Sequence, residues 1–292
     1  MAKIRCVGII IKQKVSEANE LGLEVAAYLK KRKIKVAFAS ESKEVCDRAL
    51  GVRCTSKEAL INISDMIVVL GGDGTFVSVA RLMKKKSVPL LGVNMGQLGF
   101  LTEFKKTELF EGLSAALRGK LPISERTMLE CTLVRRGKVL AREPVVNDVV
   151  VSKGAIARIF DMEVSVNGKL VTNIKADGLI VASPTGSTAY SLAAGGPIIE
   201  PSVPAIIIAP ICPHSLTLRP LVLGDLSKLS VLPRFKSGSV VLTLDGQKSF
   251  ELQPNDLIRV TKYGKHPLKI LRWPKRDYYA LLREKLKYGY RD

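Results

Sequence analysis

Apolar positions along the chain follow one pattern up to about residue 120 and another beyond it. The run from Ile4 to Ile11, the one-faced spacing of Leu21, Val25, Tyr28 and Leu29 within Ala18 to Leu29, and a second run from Ile34 to Ala39 predict a β-α-β start. Ala49 to Ile63 is short and mixed. Met66-Ile67-Val68-Val69-Leu70 is compact and β-branched, as a buried strand is, and Phe76, Val79, Ala80 and Met83 after it fall at helical spacing. Val88 to Val93 reads as another buried strand, and Leu109 to Leu117 as a helix that Gly119-Lys120-Leu121-Pro122 breaks. Strands alternating with helices predict an α/β domain built on an open, mostly parallel sheet, which binds ligands at the carboxyl ends of its strands.

From Glu130 onward the pattern becomes short strands with turns: Cys131 to Arg135, Gly137-Lys138, Val145 to Val151, Phe160 to Val166, then Leu170 onward after Asn167-Gly168. Asn-Gly between alternating apolar residues marks a hairpin. Ala205 to Ile211, Ser239 to Leu244 and Leu257 to Val260 add further strands, so a β-sandwich is expected. The expected division is an α/β domain over 1–118, a β-rich domain over 119–265 and a tail over 266–292. Tyr278 to Tyr288 returns to helical spacing, and the tail is expected to pack back on the first domain.

Composition narrows the function classes. With 292 residues and 47% hydrophobic content the chain can bury a substantial core. No apolar run approaches the roughly 18 residues of a membrane span, and Val7 to Ile11 is cut short by Lys12, so a cytoplasmic protein is expected. The five cysteines lack C-x-x-C spacing and are expected to be reduced, mostly buried thiols. Lys plus Arg exceed Asp plus Glu by 46 to 27, a net charge of +19 that attracts anions. The clusters Lys30 to Lys33, Lys84 to Lys86 and the tail from Lys262 have few aromatic neighbours, which argues for a solvated basic surface over a nucleic-acid face.

Candidate chemistry gathers where apolar runs end. Leu70-Gly71-Gly72-Asp73-Gly74-Thr75 joins a strand to a helix, so its glycines and the helix start suit a phosphate. Asp73 is the odd member, because a carboxylate among such amides repels the ligand unless it binds a cation or takes a proton. Asn94 to Leu101 is a second glycine-bearing strand end. Asn147-Asp148 interrupts the run Val145 to Val151, so one of the two is expected to face inward or line a site. Ser183-Pro184-Thr185-Gly186-Ser187-Thr188-Ala189-Tyr190 follows the strand that starts at Ala176-Asp177-Gly178 and reads equally as a ligand loop of hydroxyls and as a capped helix start. Asp245-Gly246-Gln247 reads as a type I′ hairpin turn. The P-loop pattern is absent, Val77 stands where a dinucleotide fingerprint needs its third glycine, and two histidines without G-x-S-x-G support no hydrolase triad.

Taken in order, Gly71 to Thr75, Asn94 to Leu101, Asn147-Asp148, Asp177-Gly178, Ser183 to Pro197 and Pro213-His214-Ser215-Leu216 with Arg219-Pro220 resemble the NAD kinase family. The G-G-D-G-T turn alone is shared with lipid kinases; the T-G-S-T-A-Y block is far more specific. The resemblance implies a Rossmann-like first domain and a β-sandwich second domain, with the active site in the cleft between domains. It implies phosphoryl transfer from ATP or inorganic polyphosphate to the 2′-hydroxyl of the adenosine ribose of NAD. By position it implies that Asp73 is the general base or a metal-linked carboxylate, with Gly72 and Gly74 beside it. Phe100 would pack on the adenosine, Asn147 and Asp148 would hold ribose hydroxyls and the nicotinamide side, and Asp177 would sit near the carboxamide. Ser183, Thr188, Ala189 and Tyr190 would shape the base pockets, and Gln247 would reach a ribose or base. Leu101 stands where some relatives have Tyr, Asp148 where many have Glu, and Ala182-Ser183 where Ser-Thr is usual.

Phosphoryl transfer needs positioning, charge neutralisation and an acceptor for the hydroxyl proton. The expectation is that Mg²⁺ arrives on the nucleotide phosphates, touching Asp73 at most, and that nearby lysines such as Lys175 assist. A homo-oligomer, dimer or tetramer, is expected, with no nucleic-acid or membrane partner. A lipid kinase of the diacylglycerol type and a basic nucleic-acid-binding protein are the alternative readings.

Overall fold

The computed structural model describes residues 3–49, 51–84, 86–154, 159–236 and 238–287. The chain forms two compact units, one of Met1–Glu125 with Leu268–Asp292 and one of Arg126–Pro267. In the first unit the elements are β1 (Cys6–Ile11), α1 (Ser16–Lys30), β2 (Lys35–Ala39), α2 (Lys43–Arg48), β3 (Arg53–Thr55), α3 (Lys57–Ile63), β4 (Met66–Gly71), α4 (Asp73–Ala80), β5 (Leu90–Asn94), β6 (Phe104–Lys105), α5 (Leu109–Leu117) and β7 (Ile123–Arg126). Among the described residues the sheet has eight strands, in the order β3-β2-β1-β4-β5, with β6 also on β5. These neighbours pair in parallel. Burial on both faces explains the unbroken apolar runs of β1 and β4, where Val7, Ile9, Met66, Val68 and Leu70 share one core with Val25, Leu29 and Phe104.

In the second unit come β8 (Leu129–Arg135), β9 (Lys138–Val145), β10 (Asp148–Lys153), β11 (Phe160–Val166), β12 (Lys169–Ala176), β13 (Gly178–Ala182), α6 (Tyr190–Ala193), β14 (Ala205–Ile211), β15 (Leu221–Gly224), β16 (Leu229–Arg234), β17 (Val240–Leu244), β18 (Lys248–Glu251) and β19 (Leu257–Lys262). They make two six-stranded sheets, β15-β14-β13-β10-β17-β18 and β12-β11-β16-β19-β8-β9. Inward residues of both, among them Val149, Leu179 and Leu242 from one and Leu133, Met162 and Ile258 from the other, form a single core, which is the sandwich. The Asn167-Gly168 hairpin joins β11 to β12 with both residues at positive φ.

The chain then re-enters the first unit. β20 (Leu268–Leu271) sits between β5 and β7, with Ile270 opposite Leu90, and α7 (Tyr278–Leu286) follows. Buried Glu103 accepts from Arg272 Nε at 3.1 Å and from the Trp273 backbone N–H at 3.1 Å, and Arg276 Nη2 reaches Glu108 at 2.8 Å. This segment therefore braces the stretch after Leu101. Tyr288, the expected end of the last helix, lies outside the described residues.

Three sequence expectations need correction. Ala49 to Ile63, read as mixed, holds β3 and α3, and Ser56 caps α3 through a hydrogen bond from Ala59 N–H. Val145 to Val151 is not one strand: β9 ends at Val145 and β10 begins at Asp148, in the opposite sheet. The cysteines are not all reduced. Cys46 on α2 and Cys54 on the edge strand β3 are disulfide-bonded, with Cα atoms 6.0 Å apart. Of the free thiols Cys131 is buried, Cys6 half-buried and Cys212 exposed. A loop this short is worth about 2–3 kcal/mol. Cys54→Ser is thus expected to melt several degrees lower in non-reducing buffer, with dithiothreitol bringing the parent down to match; an unchanged midpoint would deny the bond any part in holding the sheet edge.

Candidate functional site

In the first unit the site is built on the carboxyl ends of β4 and β5. Gly72 is the N-cap of α4 and Asp73 its first residue. The Asp73 carboxylate does not point at an empty anion site. Its Oδ2 accepts the Phe100 N–H at 2.8 Å; its Oδ1 accepts the N–H of Leu101 at 3.2 Å and of Thr102 at 3.1 Å, and the Thr102 hydroxyl at 2.9 Å. The sequence reading left this carboxylate to repel a phosphate unless it bound a cation or a proton; in the structure amide and hydroxyl donors of a neighbouring loop satisfy it. The loop reaches it because residue 99 is glycine: a Cβ there would fall on the carboxylate itself. Among the described residues, and apart from the immediate chain neighbours and the helix's own backbone, no atom stands within 4 Å of where a Cβ would lie at Gly72 or Gly74, leaving this face of the turn open. Phe100 is half-buried, its ring 6.4 Å from that of Tyr278.

Thr102, absent from the sequence-based candidates, belongs here with Asn94, which the sequence marked only as part of a glycine-bearing strand end. The Thr102 hydroxyl, fully buried, donates to Asp73 and accepts from Asn94 Nδ2 at 2.8 Å; Asn94 Oδ1 in turn accepts the Gly96 N–H at 2.6 Å. The available signal was a polar pair, Asn94 and Thr102, flanking an apolar strand and a glycine loop.

In the second unit Val146 and Asn147 make the bend between β9 and β10, and Asp148 opens β10 opposite Ala182. The next residue, Ser183, donates its backbone N–H to Asn147 O at 2.8 Å and its hydroxyl to Val146 O at 2.5 Å. Thr185–Thr188 is a 3₁₀ turn, and α6 follows at Tyr190, so the loop is locally a helix start. The turn lies on the Asn147 backbone, where a Cβ at Gly186 would collide with Asn147 O. Ser183 is fully buried and committed to chain atoms. Its hydroxyl and N–H hold the Asn147 bend. Thr188 and Ala189 are half-buried, and Tyr190 is 47% exposed, so these three remain open to a ligand. Gln247 is exposed in the turn after β17, close in sequence to Asp245, whose carboxylate accepts the Asn147 N–H at 2.6 Å.

Asp148 is 5% exposed, and burial, with the charge of Asp245 adding to it, pushes its carboxyl up to about 7. Lys175 and Asp177 are not brought to this cluster. Asp177 precedes β13 while Ser183 follows it, six residues or about 20 Å apart at strand rise, and Lys175 lies near the end of β12 in the other sheet. Lys175 is exposed, its carbonyl accepting the His214 N–H, and Asp177 is ion-paired with Lys153 at 2.7 Å.

Comparison with known proteins covers both units. The ATP-NAD kinase N-terminal domain profile matches residues 7–121, and the ATP-NAD kinase C-terminal domain profile matches residues 146–273. The chain is 41% identical to the NAD kinase of Syntrophotalea carbinolica over 98% of its length and 99% of that protein's, and 49% identical to the NAD kinase of Geobacter sulfurreducens over 78% and 80%. Its fold superposes on the crystal structure of yeast NADH kinase complexed with NADH with a TM-score of 0.93 at 26% identity, covering 100% of this chain and 90% of that one. An NAD kinase from Archaeoglobus fulgidus in complex with ATP shares the fold, with a TM-score of 0.73 at 24% identity over 97% and 98%. Profile matches over both units, and identity above 40% across nearly the whole length of a relative, settle the assignment: the chain belongs to the NAD kinase family.

Proposed function

We propose that this member of the family phosphorylates the 2′-hydroxyl of the adenosine ribose of NAD, with Asp73 taking the hydroxyl proton. The observation that carries the proposal is the unequal loading of the Asp73 carboxylate. Among the described residues Oδ1 holds three donors and serves as the anchor, whereas Oδ2 holds only the Phe100 N–H. A carboxylate oxygen has two lone pairs, which on Oδ1 are shared among three donors at 2.9–3.2 Å and on Oδ2 meet one. Oδ2 therefore keeps one for a substrate hydroxyl, already oriented by the loop that holds its partner, as a general base requires. The open face at Gly72 and Gly74 lets phosphate oxygens approach the start of α4. Phe100 offers a ring to the adenosine, Asn147 and Asp148 take ribose hydroxyls and the nicotinamide side, and Thr188, Ala189, Tyr190 and Gln247 border the bases.

The donor is ATP or polyphosphate. Mg²⁺ suits the residues present only as a passenger on those phosphates. Among the described residues no three His, Cys, Asp or Glu side chains gather as a metal site, and Mg²⁺ commonly keeps its water and phosphate ligands with one or two carboxylates. When bound, it would be held by the phosphates and would neutralise charge on the transferring group. A homo-oligomer is supported by the exposed Leu170 and Val171 on β12 and Leu221 and Val222 on β15, both edge strands. No helix of the described residues is long and apolar enough to cross a membrane. The cytoplasm, where NAD and ATP meet, is the proposed location, and the +19 charge assists capture of both anions without a nucleic-acid partner. The test is incubation with Mg²⁺ and labelled ATP or polyphosphate against NAD, NADH and diacylglycerol. Label in NADP is the expected result; label on lipid with none on NAD would overturn the reading.

A further inference from the structure

Asp245 opens the turn between β17 and β18. Its φ is +52° and that of Gly246 +63°, and the Gln247 N–H closes the turn on Leu244 O at 3.0 Å. A type I′ turn is met at least as well by Asn or Gly as by Asp. The turn therefore does not account for a carboxylate here.

What the carboxylate does lies 97 to 99 residues back along the chain. Oδ2 accepts the Val146 N–H at 3.0 Å, and Oδ1 accepts the N–H of Asn147 at 2.6 Å and of Asp148 at 3.1 Å; the Asp245 N–H returns a hydrogen bond to Asp148 O at 2.9 Å. Val146 and Asn147 lie in the gap where the chain leaves one sheet for the other, and neither belongs to a strand. Their N–H groups would otherwise need water or another acceptor. One charged acceptor for three successive amides fixes all three peptide planes at once. The same placement sets two carboxylates, 148 and 245, against each other, which a neutral turn residue would avoid.

We propose that Asp245 is a positioning residue for substrate binding: it locks the backbone of Val146, Asn147 and Asp148 across the change of sheet and so fixes the directions in which the Asn147 and Asp148 side chains meet the ribose hydroxyls of NAD. This rests on the reading above that these two side chains hold NAD. Asp245 itself touches only the chain.

Two variants separate the turn from the clamp. Asp245→Gly keeps the left-handed turn and removes the acceptor; Asp245→Asn keeps the turn and one oxygen acceptor. Hydrogen exchange at the amides of 146–148 is expected to accelerate at least tenfold in Asp245→Gly, with the strand amides of 160–166 unchanged. KM for NAD should rise at least tenfold while KM for ATP and kcat at saturating NAD stay within twofold, and Asp245→Asn should fall between parent and Asp245→Gly. Unchanged exchange at 146–148, or faster exchange with an unchanged KM for NAD, would overturn the proposal. A parent that forms no NADP would instead defeat the functional reading, and the exchange measurement alone would then decide whether Asp245 holds this segment.

Discussion

Asp73→Asn is expected to lower kcat for NADP formation by about 10²–10⁴-fold, the usual worth of a general base, while the protein stays folded and still binds NAD. The asparagine oxygen can keep the place of Oδ1, where Leu101 and Thr102 donate. The amide nitrogen then takes the place of Oδ2 and meets the Phe100 N–H donor to donor. Losing that one hydrogen bond costs about 1–3 kcal/mol, which lowers the melting temperature by a few degrees without unfolding the protein at assay temperature. The comparison variant is Thr102→Val. It strips a donor from Oδ1 and an acceptor from Asn94 but leaves Oδ2 intact, so its kcat should fall by no more than about tenfold. The two rates together test which oxygen acts. An Asp73→Asn rate within fivefold of the parent, measured by coupled NADP formation, would remove Asp73 from the base role and leave it the anchor of the 100–102 loop.

How far the sequence reveals this fold depends on where burial writes a pattern. β4 and β14 are buried through nearly their whole length, so their apolar runs mark them to within a residue. α5 buries Leu109, Leu113 and Ala116 along one face and is equally plain. β3 and α3 are short and half-exposed, with only Leu60 and Ile61 buried in the helix, and no period emerges over so few turns. β20 carries an ordinary short apolar run; its place beside β5 depends on a return across the whole chain that no local pattern encodes. The 46–54 disulfide is hidden for a different reason: it spans only eight positions but joins α2 to β3, two short elements that carry no readable period.

The candidate site divides likewise. The glycine turn, Asn147-Asp148 and the hydroxyl loop stand out because polar residues end apolar strands, and the structure uses all three at strand ends. Direction is what the sequence lacks. Ser183 looks like a ligand hydroxyl but turns inward to Val146, and Asp177 looks adjacent to that loop but lies a strand's length away. Conversely, Thr102 and Asp245 look like a strand flank and a turn residue, and each is a partner of a site segment through hydrogen bonds that span 29 and about 100 positions. Hydrogen bonds of that range leave no spacing to read.

The pH dependence of stability offers the second large effect, and Asp148 is its source. Burial and the neighbouring charge of Asp245 raise its carboxyl from 3.8 to about 7, while the unfolded chain returns it to the ordinary value. The folded protein therefore holds a proton that the unfolded protein has released between those limits. Its contribution is fully present below pH 4, declines as pH rises through 7, and is level beyond. Moving a carboxyl from 3.8 to about 7 corresponds to about 4 kcal/mol. Asp148→Asn has no such proton, and its amide takes the place of the neutral acid. Urea unfolding of parent and variant at intervals from pH 4 to 8 should give a difference in unfolding free energy that moves by about 4 kcal/mol in favour of the variant; other groups titrating in this window are common to both and cancel. A difference flat across the series would mean that Asp148 is ionised throughout. NAD adds the opposite pull. A ribose hydroxyl donates better to the ionised carboxylate, so saturating NAD should lower the pH at which the parent's stability falls and narrow its gap to Asp148→Asn above pH 7. The residue that weakens the free protein near neutrality is thus the one from which substrate binding recovers the loss.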